Sequence, residues 1–596
     1  MTETVAELLK AYRSGAAKPA DIVARSYARI REHNDPAMFI TLRDEKDVAA
    51  EAQALDGGDT SLPLYGIPVT VKDNIDVAGL PTTAACPAYL YRPRRDATAV
   101  ARLRAAGALI LGKTNLDQFA TGLVGVRSPY GVPRNLFDAS LIPGGSSSGA
   151  AVSVGTGIAP LALGTDTAGS GRVPASFANI VGLKPSLGLV STAGVVPACR
   201  TLDCVSVFAL TVDDAVAALN VMAGPDAADP FSRTRPLRQV GPVPQGLRLG
   251  VPLAGQRLFF GDKVSAAAYD AALARFAELG ATVVEVDIES LYETARLLYD
   301  GPWVTERYLT LKDMIASSPE SILPVTRQII LAGAHVSAAD AFSAFYRLEA
   351  LRRVRDHIFR EVDALVMPTA PTIYSVAQVQ ADPIQLNSRL GTYTNFVNLL
   401  DLAGLAVPAS FKPDGKPFGV TLLAPGGEDA KLAAIGRQFH HASSLPLGAL
   451  KHPQPPLAGA SVTPAAGEIA LAVVGAHLSG MPLNSELREA GARLLTTTKT
   501  APHYKLFSLA GTKPAKPGLI RVKNGAGASV EVEIWALTDV AFGRFVAAVP
   551  PPLSIGTLEL ADGHGVKGFL VEADAIEDAR DITSFGGWRK FVAAAS

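Results

Sequence analysis

Residues 144–174 read GGSSSGAAVSVGTGIAPLALGTDTAGSGRVP and contain two glycine-rich loops that carry hydroxyl groups. The first loop is GGSSSG, the second is DTAGSGR, and a stretch of small residues joins them. Glycine lets backbone amides approach a reacting atom that a side chain would otherwise block. A turn formed by Thr167, Ala168 and Gly169 would aim successive amides at one point. Ser170 follows directly, so the second loop predicts a serine nucleophile beside an oxyanion hole.

Both loops also fit a plainer interpretation, as ordinary glycine-rich helix N-termini of the kind that bind phosphate. Short glycine-serine motifs are weak signals when they stand alone. The first loop contains no Gly-Lys-Ser/Thr sequence of the kind found in nucleotide-binding P-loops. The pair of loops therefore favours catalysis, provided that the chain also supplies a base for the serine.

The base is a lysine, because histidine is scarce in this part of the chain. His33 is the only histidine in the first 334 residues, so a Ser-His-Asp mechanism has almost no base to draw on. Lys72, in VTVKDNID, is the candidate. An ordinary lysine pKa of about 10.4 makes a poor base, so we expect burial at the end of the apolar run GIPVTVK to lower it. The alternative is that Lys72 pairs with Asp73 or Asp76 and stays charged.

The composition describes a globular protein without a preference for polyanions. The 596 residues are 48% hydrophobic and 19% charged, and 55 basic against 56 acidic residues give a net charge of −1. We therefore expect no nucleic-acid partner, and no apolar run is long enough to span a membrane. Cys86, Cys199 and Cys204 are too few for a disulfide framework or a zinc site. The N-terminus lacks the apolar core of a signal peptide, which favours a cytoplasmic location.

Short apolar runs alternate with helical patterns from the N-terminus onward. Strands are predicted at Gly66–Lys72, Ala108–Lys113, Arg248–Pro252 and Ala364–Pro371. Helices are predicted at Thr4–Arg13, Asp21–His33 with Asp21 as N-cap, Thr98–Ala106, Gly149–Val154, Val264–Leu279 and Ala339–Val362. This alternation predicts an α/β fold in which helices cover both faces of a mixed β-sheet.

Changes of composition mark a linker and a second domain. Residues 443–467 are rich in Pro, Ala, Gly and Ser and lack periodicity, which is typical of a linker. Residues 468–596 contain short apolar runs, such as SVEVEIWAL, that suit a small α+β domain. The predicted organisation is a first domain over 1–442, the linker, and a second domain over 468–596.

The two loops and Lys72 together resemble the amidase signature family, whose pattern GGSSxG…GTDxxGSxRxP is matched almost throughout residues 144–174. NLDQFATG, SPYGVPRN and GLKPSLGLVS are also similar to family segments, so the resemblance covers most of the first domain. That family uses a lysine, a serine in a cis peptide and a nucleophilic serine, which fall on Lys72, Ser146 and Ser170. The resemblance implies an acyl-enzyme mechanism in which Lys72 takes a proton from Ser146 while Ser146 takes one from Ser170. It implies no metal and no organic cofactor.

Two features resemble allophanate hydrolases, a narrower group within that family. The segment LLYDGPWVTERY is similar to one in which a tyrosine and an arginine contact the substrate, which points to Tyr299 and Arg307. A planar guanidinium suits the carboxylate of allophanate because it donates a fork of hydrogen bonds. The nucleophile loop reads TAGSGR, as in those enzymes. We expect Gly122 to line the pocket through its backbone, and Arg172 to bind the anionic substrate or to brace the loop.

The resemblance implies hydrolysis of allophanate to ammonia and a carboxylated product, ending as ammonium and bicarbonate. It also implies a homodimer, and a urea carboxylase as a separate pathway partner, because no biotin-attachment or ATP-grasp segment is evident. Two alternatives stay open. One is an amidase acting on biuret, malonamate or aryl amides. The other is a component of a tRNA amidotransferase, which the near-neutral charge and the second domain disfavour.

The second domain resembles the C-terminal domain of allophanate hydrolases, a fold similar to γ-glutamylcyclotransferases. Matching stretches include VVGAHLSGMPLN and FGGWRKF. In the two-domain enzymes this module is thought to convert the N-carboxy product to carbon dioxide and ammonia. His477 would supply a proton near neutral pH, and Asn484 would help to hold the substrate. The alternative is a docking or dimerisation module with a structural histidine.

Overall fold

The computed structural model describes residues 3–235, 237–243, 246–457, 463–464, 467–523 and 525–595. The chain divides into two compact units, Met1–Leu237 with Arg248–Leu457, and Arg238–Leu247 with Ala458–Ser596. Within these described ranges no single helix has the length and hydropathy needed to cross a membrane. One bent pair, Pro324–His335 with Ala338–Glu361, passes that test on length and composition alone.

The first unit alternates strands with helices along most of its length. Its strands are β1 (Phe39–Leu42), β2 (Pro68–Lys72), β3 (Leu109–Thr114), β4 (Leu161–Asp166), β5 (Val181–Lys184), β6 (Cys204–Ala209), β7 (Arg248–Pro252), β8 (Thr282–Val286), β9 (Ala364–Pro368), β10 (Leu402–Phe411) and β11 (Pro417–Pro425). Its helices are α1 (Val5–Arg13), α2 (Pro19–His33), α3 (Glu45–Ala54), α4 (Thr98–Ala105), α5 (Ser148–Gly155), α6 (Val173–Phe177), α7 (Val212–Met222), α8 (Lys263–Glu278), α9 (Glu289–Leu297), α10 (Val304–Ser317), α11 (Pro324–Leu331), α12 (Ala338–Glu361), α13 (Val376–Ala381), α14 (Gln385–Leu390), α15 (Phe396–Leu399) and α16 (Asp429–Ala442).

These strands form one mixed sheet in the order β1-β3-β2-β4-β6-β5-β10-β11-β9-β7-β8. β2 runs parallel to β3 and β4, and β7 runs parallel to β8 and β9, whereas the centre of the sheet is antiparallel. Helices cover both faces: on β10, Leu405 packs against α16 at Gly436, while the adjacent Gly404 lies under the Arg172 side chain beside α6. The predicted α/β fold with a mixed sheet flanked by helices is confirmed.

The predicted strands and helices are confirmed to within a few residues at their ends. One helix start is wrong, because α2 begins at Pro19 and its N-cap is Lys18, not Asp21. Proline suits the first helical position because its missing N–H would have no partner there. Asp21 lies in the first turn, where its carboxylate accepts the Lys18 amide at 2.9 Å.

The carboxyl ends of three neighbouring parallel strands define the place of the site. β2 ends at Lys72, β3 at Thr114 and β4 at Asp166, and the order β3-β2-β4 puts these ends side by side. In open α/β sheets ligands bind outside the carboxyl ends of strands, because the loops that follow the strands gather there. GGSSSG leads into α5 and DTAGSGR follows β4, so both loops of the opening motif flank this edge.

Helix α5 consists of small residues because it lies against the sheet. Every residue from Ser148 to Gly155 is buried. A Cβ at Gly149 would lie only 2.4 Å from the carbonyl oxygen of Met38, so a side chain at this position would force the helix outward. The close packing of α5 holds its N-terminus, and the serines before it, at the edge where β2 and β4 end.

The second unit is a small α+β structure, as predicted. Its strands are β12 (Glu468–Val473), β13 (Arg493–Lys499), β14 (Tyr504–Ser508), β15 (Pro517–Arg521), β16 (Glu531–Thr538), β17 (Leu553–Glu559), β18 (Gly565–Val571) and β19 (Arg580–Asp581). Its helices are α17 (Asn484–Glu489), α18 (Asp539–Ala547) and α19 (Trp588–Ala595). One sheet has the order β13-β16-β12-β18-β17 and the other β15-β14-β19. The core is built around the buried Trp535.

The predicted linker, residues 443–467, is described only in part, since 458–462 and 465–466 lie outside the described residues. Its first part packs on the first unit, which extends to Leu457. Leu447 is fully buried in a hydrophobic cluster, and Gln454 Nε2 donates to His440 O at 2.9 Å. Residues 443–457 of the predicted linker therefore pack against the first unit.

Candidate active site

Lys72 lies at the carboxyl end of β2 with its side chain fully buried. Its Nζ donates to Ser146 Oγ at 2.7 Å and to Thr165 Oγ1 at 2.8 Å. Asn74 Nδ2 donates to the same threonine oxygen at 3.2 Å. Within the part of the chain that the structure describes, no carboxylate forms an ion pair with Lys72. Burial lowers the pKa of Lys72 to about 7, against the opposing charges of nearby carboxylates, so a neutral amine is accessible near neutral pH.

The carboxylates next to Lys72 in sequence do not pair with it, so the alternative raised by the sequence is wrong. Asp73 lies 3.1 Å from Lys113 Nζ, and both of these side chains are fully buried. Asp76 accepts a hydrogen bond from the Tyr91 hydroxyl at 2.7 Å. Adjacent residues of an extended chain point to opposite sides, which separates Lys72 from Asp73.

Contacts around Asp117 hold the loop that carries Ser146. The Gly145–Ser146 peptide bond is cis, as the family resemblance implies. Ser146 O accepts the Asp117 amide at 3.0 Å, and the Asp117 carboxylate accepts the amides of Gly125 and Arg127, each at 2.9 Å. A Cβ at Gly145 would lie 2.1 Å from Asp117 Oδ2, so only glycine allows this close approach.

Ser170 lies in the loop after β4 and is almost fully buried. Its Oγ donates to Gly122 O at 3.4 Å, so the backbone of Gly122 lines the space in front of the hydroxyl. The structure brings Lys72 and Ser146 into contact and leaves Ser170 turned toward Gly122. Among the described contacts there is no hydrogen bond between the Ser146 and Ser170 hydroxyls.

The nucleophile loop offers backbone donors that differ in part from the expected set. The Gly169 amide donates to Asp166 Oδ1 at 2.9 Å, so it is occupied and its place in the predicted oxyanion hole is wrong. The amides of Thr167, Ala168 and Ser170 have no acceptor among the described residues. Gly169 instead has a φ of 128°, a backbone conformation that favours glycine.

Arg172 braces the nucleophile loop, which is one of the two roles that the sequence leaves open for it. Its side chain is fully buried and donates from Nε and Nη2 to the Asp166 carboxylate at 2.8 and 2.9 Å. The same carboxylate accepts the Gly171 amide at 3.0 Å. Burial acts to raise the pKa of Asp166, but the charge and hydrogen bonds of Arg172, the charge of Lys184 and the Gly171 amide together hold that pKa below the ordinary value. The positive charge is thus neutralised within the loop.

Tyr299 and Arg307 lie together at the start of α10. Arg307 is 2% exposed, and its Nη2 donates to the Tyr299 hydroxyl at 3.3 Å. Its Nη1 donates to Thr121 Oγ1 at 2.9 Å and to the main-chain oxygen of Ala120 at 3.3 Å. Thr121 precedes Gly122, whose carbonyl contacts Ser170 Oγ. No carboxylate of the described chain forms an ion pair with Arg307, so its charge is available to an anion.

Sequence reasoning missed three residues that shape the site. Thr165 is the second partner of Lys72, and Asp166 holds the nucleophile loop. Both residues lie in the segment GTDTAGSGR, so the sequence could have pointed to them as side chains able to accept hydrogen bonds near the loop. Asp203 accepts the Thr167 hydroxyl from a distant part of the sequence, and no local pattern points to it.

In the second unit, His477 follows β12 and stacks on Phe569 with the ring centroids 5.3 Å apart. Its Nε2 lies 2.9 Å from Glu486 Oε2. Burial lowers the pKa of His477, although Glu486 opposes that shift. Asn484 Nδ2 donates to the main-chain oxygen of His477 at 2.8 Å, which closes the loop between them. In neither unit do the described residues form a group of three or more His, Cys, Asp or Glu side chains placed to hold a metal ion.

Two family models match the chain: Amidase over residues 21–433 and Allophanate hydrolase C-terminal domain over residues 469–593. The chain is 43% identical over 576 residues to the urea amidolyase of Lachancea kluyveri, a match that covers 94% of this chain and 31% of that protein. It thus spans about a third of the length of this relative. It is 38% identical over 471 residues to a glutamyl-tRNA(Gln) amidotransferase polypeptide of Symbiobacterium thermophilum, covering 72% of this chain and 95% of that protein.

Among solved structures, the allophanate hydrolase of Kluyveromyces lactis matches with a TM-score of 0.80 and 40% identity, covering 100% of this chain and 99% of that one. The urea amidolyase of the same organism matches with a TM-score of 0.83 and 41% identity, over 100% of this chain and 37% of that one. The matched models cover both units described above. The chain therefore belongs to the amidase family and carries an allophanate hydrolase C-terminal domain after its amidase domain.

Proposed function

We propose that this chain is an allophanate hydrolase that deaminates allophanate, a urea bearing a carboxylate, through an acyl-enzyme on Ser170. One observation carries the proposal: a buried amine and a buried guanidinium, neither paired with an acid in the described chain, flank the same serine loop. Lys72 supplies the amine, and Arg307 is bonded to the segment that contacts Ser170. The chain is similar to the K. lactis allophanate hydrolase over nearly the whole length of that protein, which supports allophanate as the substrate.

Neutral Lys72 is the base. Its contacts suit this role, because Nζ can donate to Thr165 while its lone pair accepts the Ser146 hydroxyl. An amine with a pKa of about 7 is neutral in roughly half of the molecules at pH 7. Ser146 gives its proton to Lys72 as it takes one from Ser170, after the Ser170 hydroxyl has turned from Gly122 O toward Ser146.

Ser170 Oγ then attacks the terminal carbonyl carbon of allophanate, and the carbonyl oxygen becomes an oxyanion. The free amides of Thr167, Ala168 and Ser170 are the donors available to it, and one such donor contributes about 10²- to 10³-fold in rate. The proton returns from Lys72 through Ser146 to the leaving nitrogen, so that ammonia departs. Water, deprotonated by the same path, cleaves the acyl-enzyme and releases N-carboxycarbamate.

Arg307 and Tyr299 hold the carboxylate end of the substrate. A buried cation without an acidic partner is unfavourable, and an incoming carboxylate compensates it. The guanidinium keeps donors free after its bonds to Thr121 and Tyr299, and the planar fork suits two carboxylate oxygens. The geometry therefore favours an amide whose other end is an anion.

The second unit completes the reaction on N-carboxycarbamate. A carboxylate bonded to nitrogen leaves as carbon dioxide once that nitrogen is protonated, and this step needs a proton donor. His477 fits the role, because Glu486 favours its protonated form while burial makes the proton easy to release. Loss of the first carbon dioxide leaves carbamate, which loses the second once its nitrogen is protonated and so gives ammonium. Hydration of both carbon dioxide molecules gives bicarbonate.

The cellular setting follows from the same substrate. A urea carboxylase would supply allophanate, and the protein would act as a homodimer in the cytoplasm. Light scattering during gel filtration measures the oligomeric state, with a mass twice that of the chain as the expected result. A monomeric mass with full activity contradicts the homodimer.

The decisive experiment measures ammonia released from allophanate by the purified full chain. The parent should release two ammonia per allophanate, and Ser170→Ala should release none above the uncatalysed rate. Arg307→Lys keeps the charge but loses the fork, so KM should rise at least about tenfold. Arg327→Lys is the matched control, since Arg327 also donates to a main-chain oxygen, Pro319 O, at 2.9 Å.

Other outcomes identify the alternatives. Faster turnover of biuret, malonamate or an aryl amide than of allophanate, unaffected by Arg307→Lys, indicates an amidase of other specificity. Ammonia release that requires a tRNA-charging partner indicates the amidotransferase role of the Symbiobacterium thermophilum relative.

His477→Asn tests the second step within the full chain. The first ammonia should appear at the parent rate, while N-carboxycarbamate accumulates and is detected by ¹³C NMR. Asn keeps the polarity but cannot supply the proton. If the second ammonia appears as fast as in the parent, the second unit is a structural module.

A further inference from the structure

Residues 198–203 form a turn, here called the 198–203 turn, that contacts the nucleophile loop. Asp203 ends this turn and is 7% exposed. Its carboxylate accepts the Thr167 hydroxyl, and it also accepts the amides of Ala198 and Cys199 at 2.9 and 3.2 Å. One buried carboxylate thus ties Thr167, a member of the oxyanion loop, to the backbone of the turn.

The other side of the 198–203 turn is bonded to the beginning of α10. Cys199 Sγ donates to Trp303 O at 3.4 Å. The Thr201 amide donates to Glu306 Oε2 at 2.9 Å, and the Thr201 hydroxyl bonds to the same carboxylate. Glu306 immediately precedes Arg307. The turn therefore bridges the oxyanion loop and the helix that carries the anion-binding arginine.

We propose that Asp203 is a positioning residue that couples carboxylate recognition at Arg307 to the alignment of the oxyanion donors at Thr167. The inference rests on the proposed function, because it requires Arg307 to bind the substrate's anion. Asp203 acts through its contacts with Thr167 and the turn. A carboxylated amide uses both ends of the bridge, whereas an uncharged amide uses only the oxyanion end.

The charge of Asp203 also acts on the base. The carboxylates of Asp117, Asp166 and Asp203 favour protonated Lys72, and Arg307 opposes them. Burial raises the pKa of Asp203 to about 6, so the group is ionised at pH 8. Removing this charge should lower the pKa of Lys72 and move the acidic limb of kcat/KM to lower pH. A purely structural residue would leave that limb in place.

The test compares Asp203→Asn with a matched control, Asp229→Asn, in the full chain. Asp229 is 6% exposed and likewise accepts two backbone amides and a threonine hydroxyl, from Thr192 and Phe231. Asp203→Asn should lower kcat about 10²-fold on allophanate and about tenfold on an uncharged aryl amide, and should shift the acidic limb. Asp229→Asn should leave kcat on both substrates within about twofold of the parent, and the acidic limb of kcat/KM should stay at the same pH.

Glu306→Gln separates the two ends of the bridge. It should lower kcat/KM for allophanate about tenfold and leave the aryl amide unchanged, because only the α10 side is disturbed. When Glu306→Gln is combined with Asp203→Asn, the loss of kcat/KM for allophanate should be smaller than the product of the losses in the two single variants. Equal losses on both substrates, or strictly multiplicative losses, overturn the coupling.

The outcomes also separate this inference from the proposed function. A parent that hydrolyses the aryl amide but not allophanate refutes the function. A parent that hydrolyses allophanate, with Asp203→Asn indistinguishable from Asp229→Asn in rate, pH profile and unfolding midpoint, refutes the inference alone.

Discussion

Two fully buried lysines on neighbouring strands, Lys72 on β2 and Lys113 on β3, meet opposite surroundings. Lys113 Nζ lies 3.1 Å from the Asp73 carboxylate. Lys72 Nζ has two hydroxyl partners, Ser146 and Thr165, and no acid in contact among the described residues. Lys113 is half of an ion pair, whereas Lys72 has no such partner and burial lowers its pKa to about 7.

The difference lies in the partner, because the burial is the same. Desolvation lowers the pKa of both lysines, and at Lys113 the charge and hydrogen bond of Asp73 oppose that shift without cancelling it. Hydroxyl oxygens solvate the ammonium only in part. The Asp73 carboxylate, next to Lys72 in sequence, is held by Lys113 and by the Thr83 amide at 2.9 Å. Lys72 can act as a base because Asp73, the carboxylate next to it in sequence, pairs with Lys113 instead.

Replacing Lys72 should have the largest effect on activity and little effect on stability. Lys72→Met should lower kcat about 10⁴-fold, because the base that contacts Ser146 is lost. The melting temperature should equal or exceed that of the parent, because an ionisable group no longer has to be buried. Steady-state kinetics and calorimetry measure the two quantities. Retained activity would contradict the proposed proton path.

Replacing Lys113 should have the reverse effect. Lys113→Met leaves Asp73 buried without its cation, so the free energy of unfolding should fall by about 3–5 kcal/mol, while kcat per folded molecule stays within a few-fold. The double variant Lys113→Met/Asp73→Asn should recover much of that stability. Urea unfolding and active-site titration check both statements. A loss of kcat without a loss of stability would place Lys113 in the catalytic set.

The pH dependence should follow Lys72. Its neutral form is the base, so kcat/KM should rise with pH and level off above about pH 7, with roughly a tenfold loss for each unit below it. If Lys72 were instead held in an ion pair, as Lys113 is by Asp73, kcat/KM should show no such rise with pH. Measurement of kcat/KM from pH 5.5 to 9 on allophanate, with the unfolding midpoint followed in parallel, separates titration of the base from loss of fold.

The contrast also shows what the sequence can predict. The sequence points to Ser170 through its glycine-rich loop and to Lys72 through the scarcity of histidine, and the family resemblance adds Ser146. The pairing of Asp73 with Lys113, by contrast, depends on which strands are neighbours. Alternating patterns predict strands and helices, but they do not give the strand order that decides such pairings.

Asp203 shows this limit most clearly. Antiparallel pairing of β4 with β6 sets Asp166 opposite Cys204, so the residues just beyond the strand ends, Thr167 and Asp203, become neighbours. Their contact follows from sheet register, and register is a tertiary property.

Thr165→Val should have the smallest effect, and it tests the role of hydroxyl solvation directly. The variant keeps the volume of Thr165 but removes the oxygen that accepts from Lys72 at 2.8 Å. Losing a hydrogen bond to the charged form lowers a lysine pKa, so the acidic limb of kcat/KM should move to lower pH by about half a unit to one unit. The plateau should fall only about tenfold, because Ser146 still contacts the amine. Thr156→Val, at a hydroxyl bonded to its own helix, is the control that should leave the limb unchanged. A limb that moves to higher pH in Thr165→Val would mean that the hydroxyl stabilises the neutral amine, and partial solvation of the ammonium by hydroxyls would then not explain the contrast with Lys113.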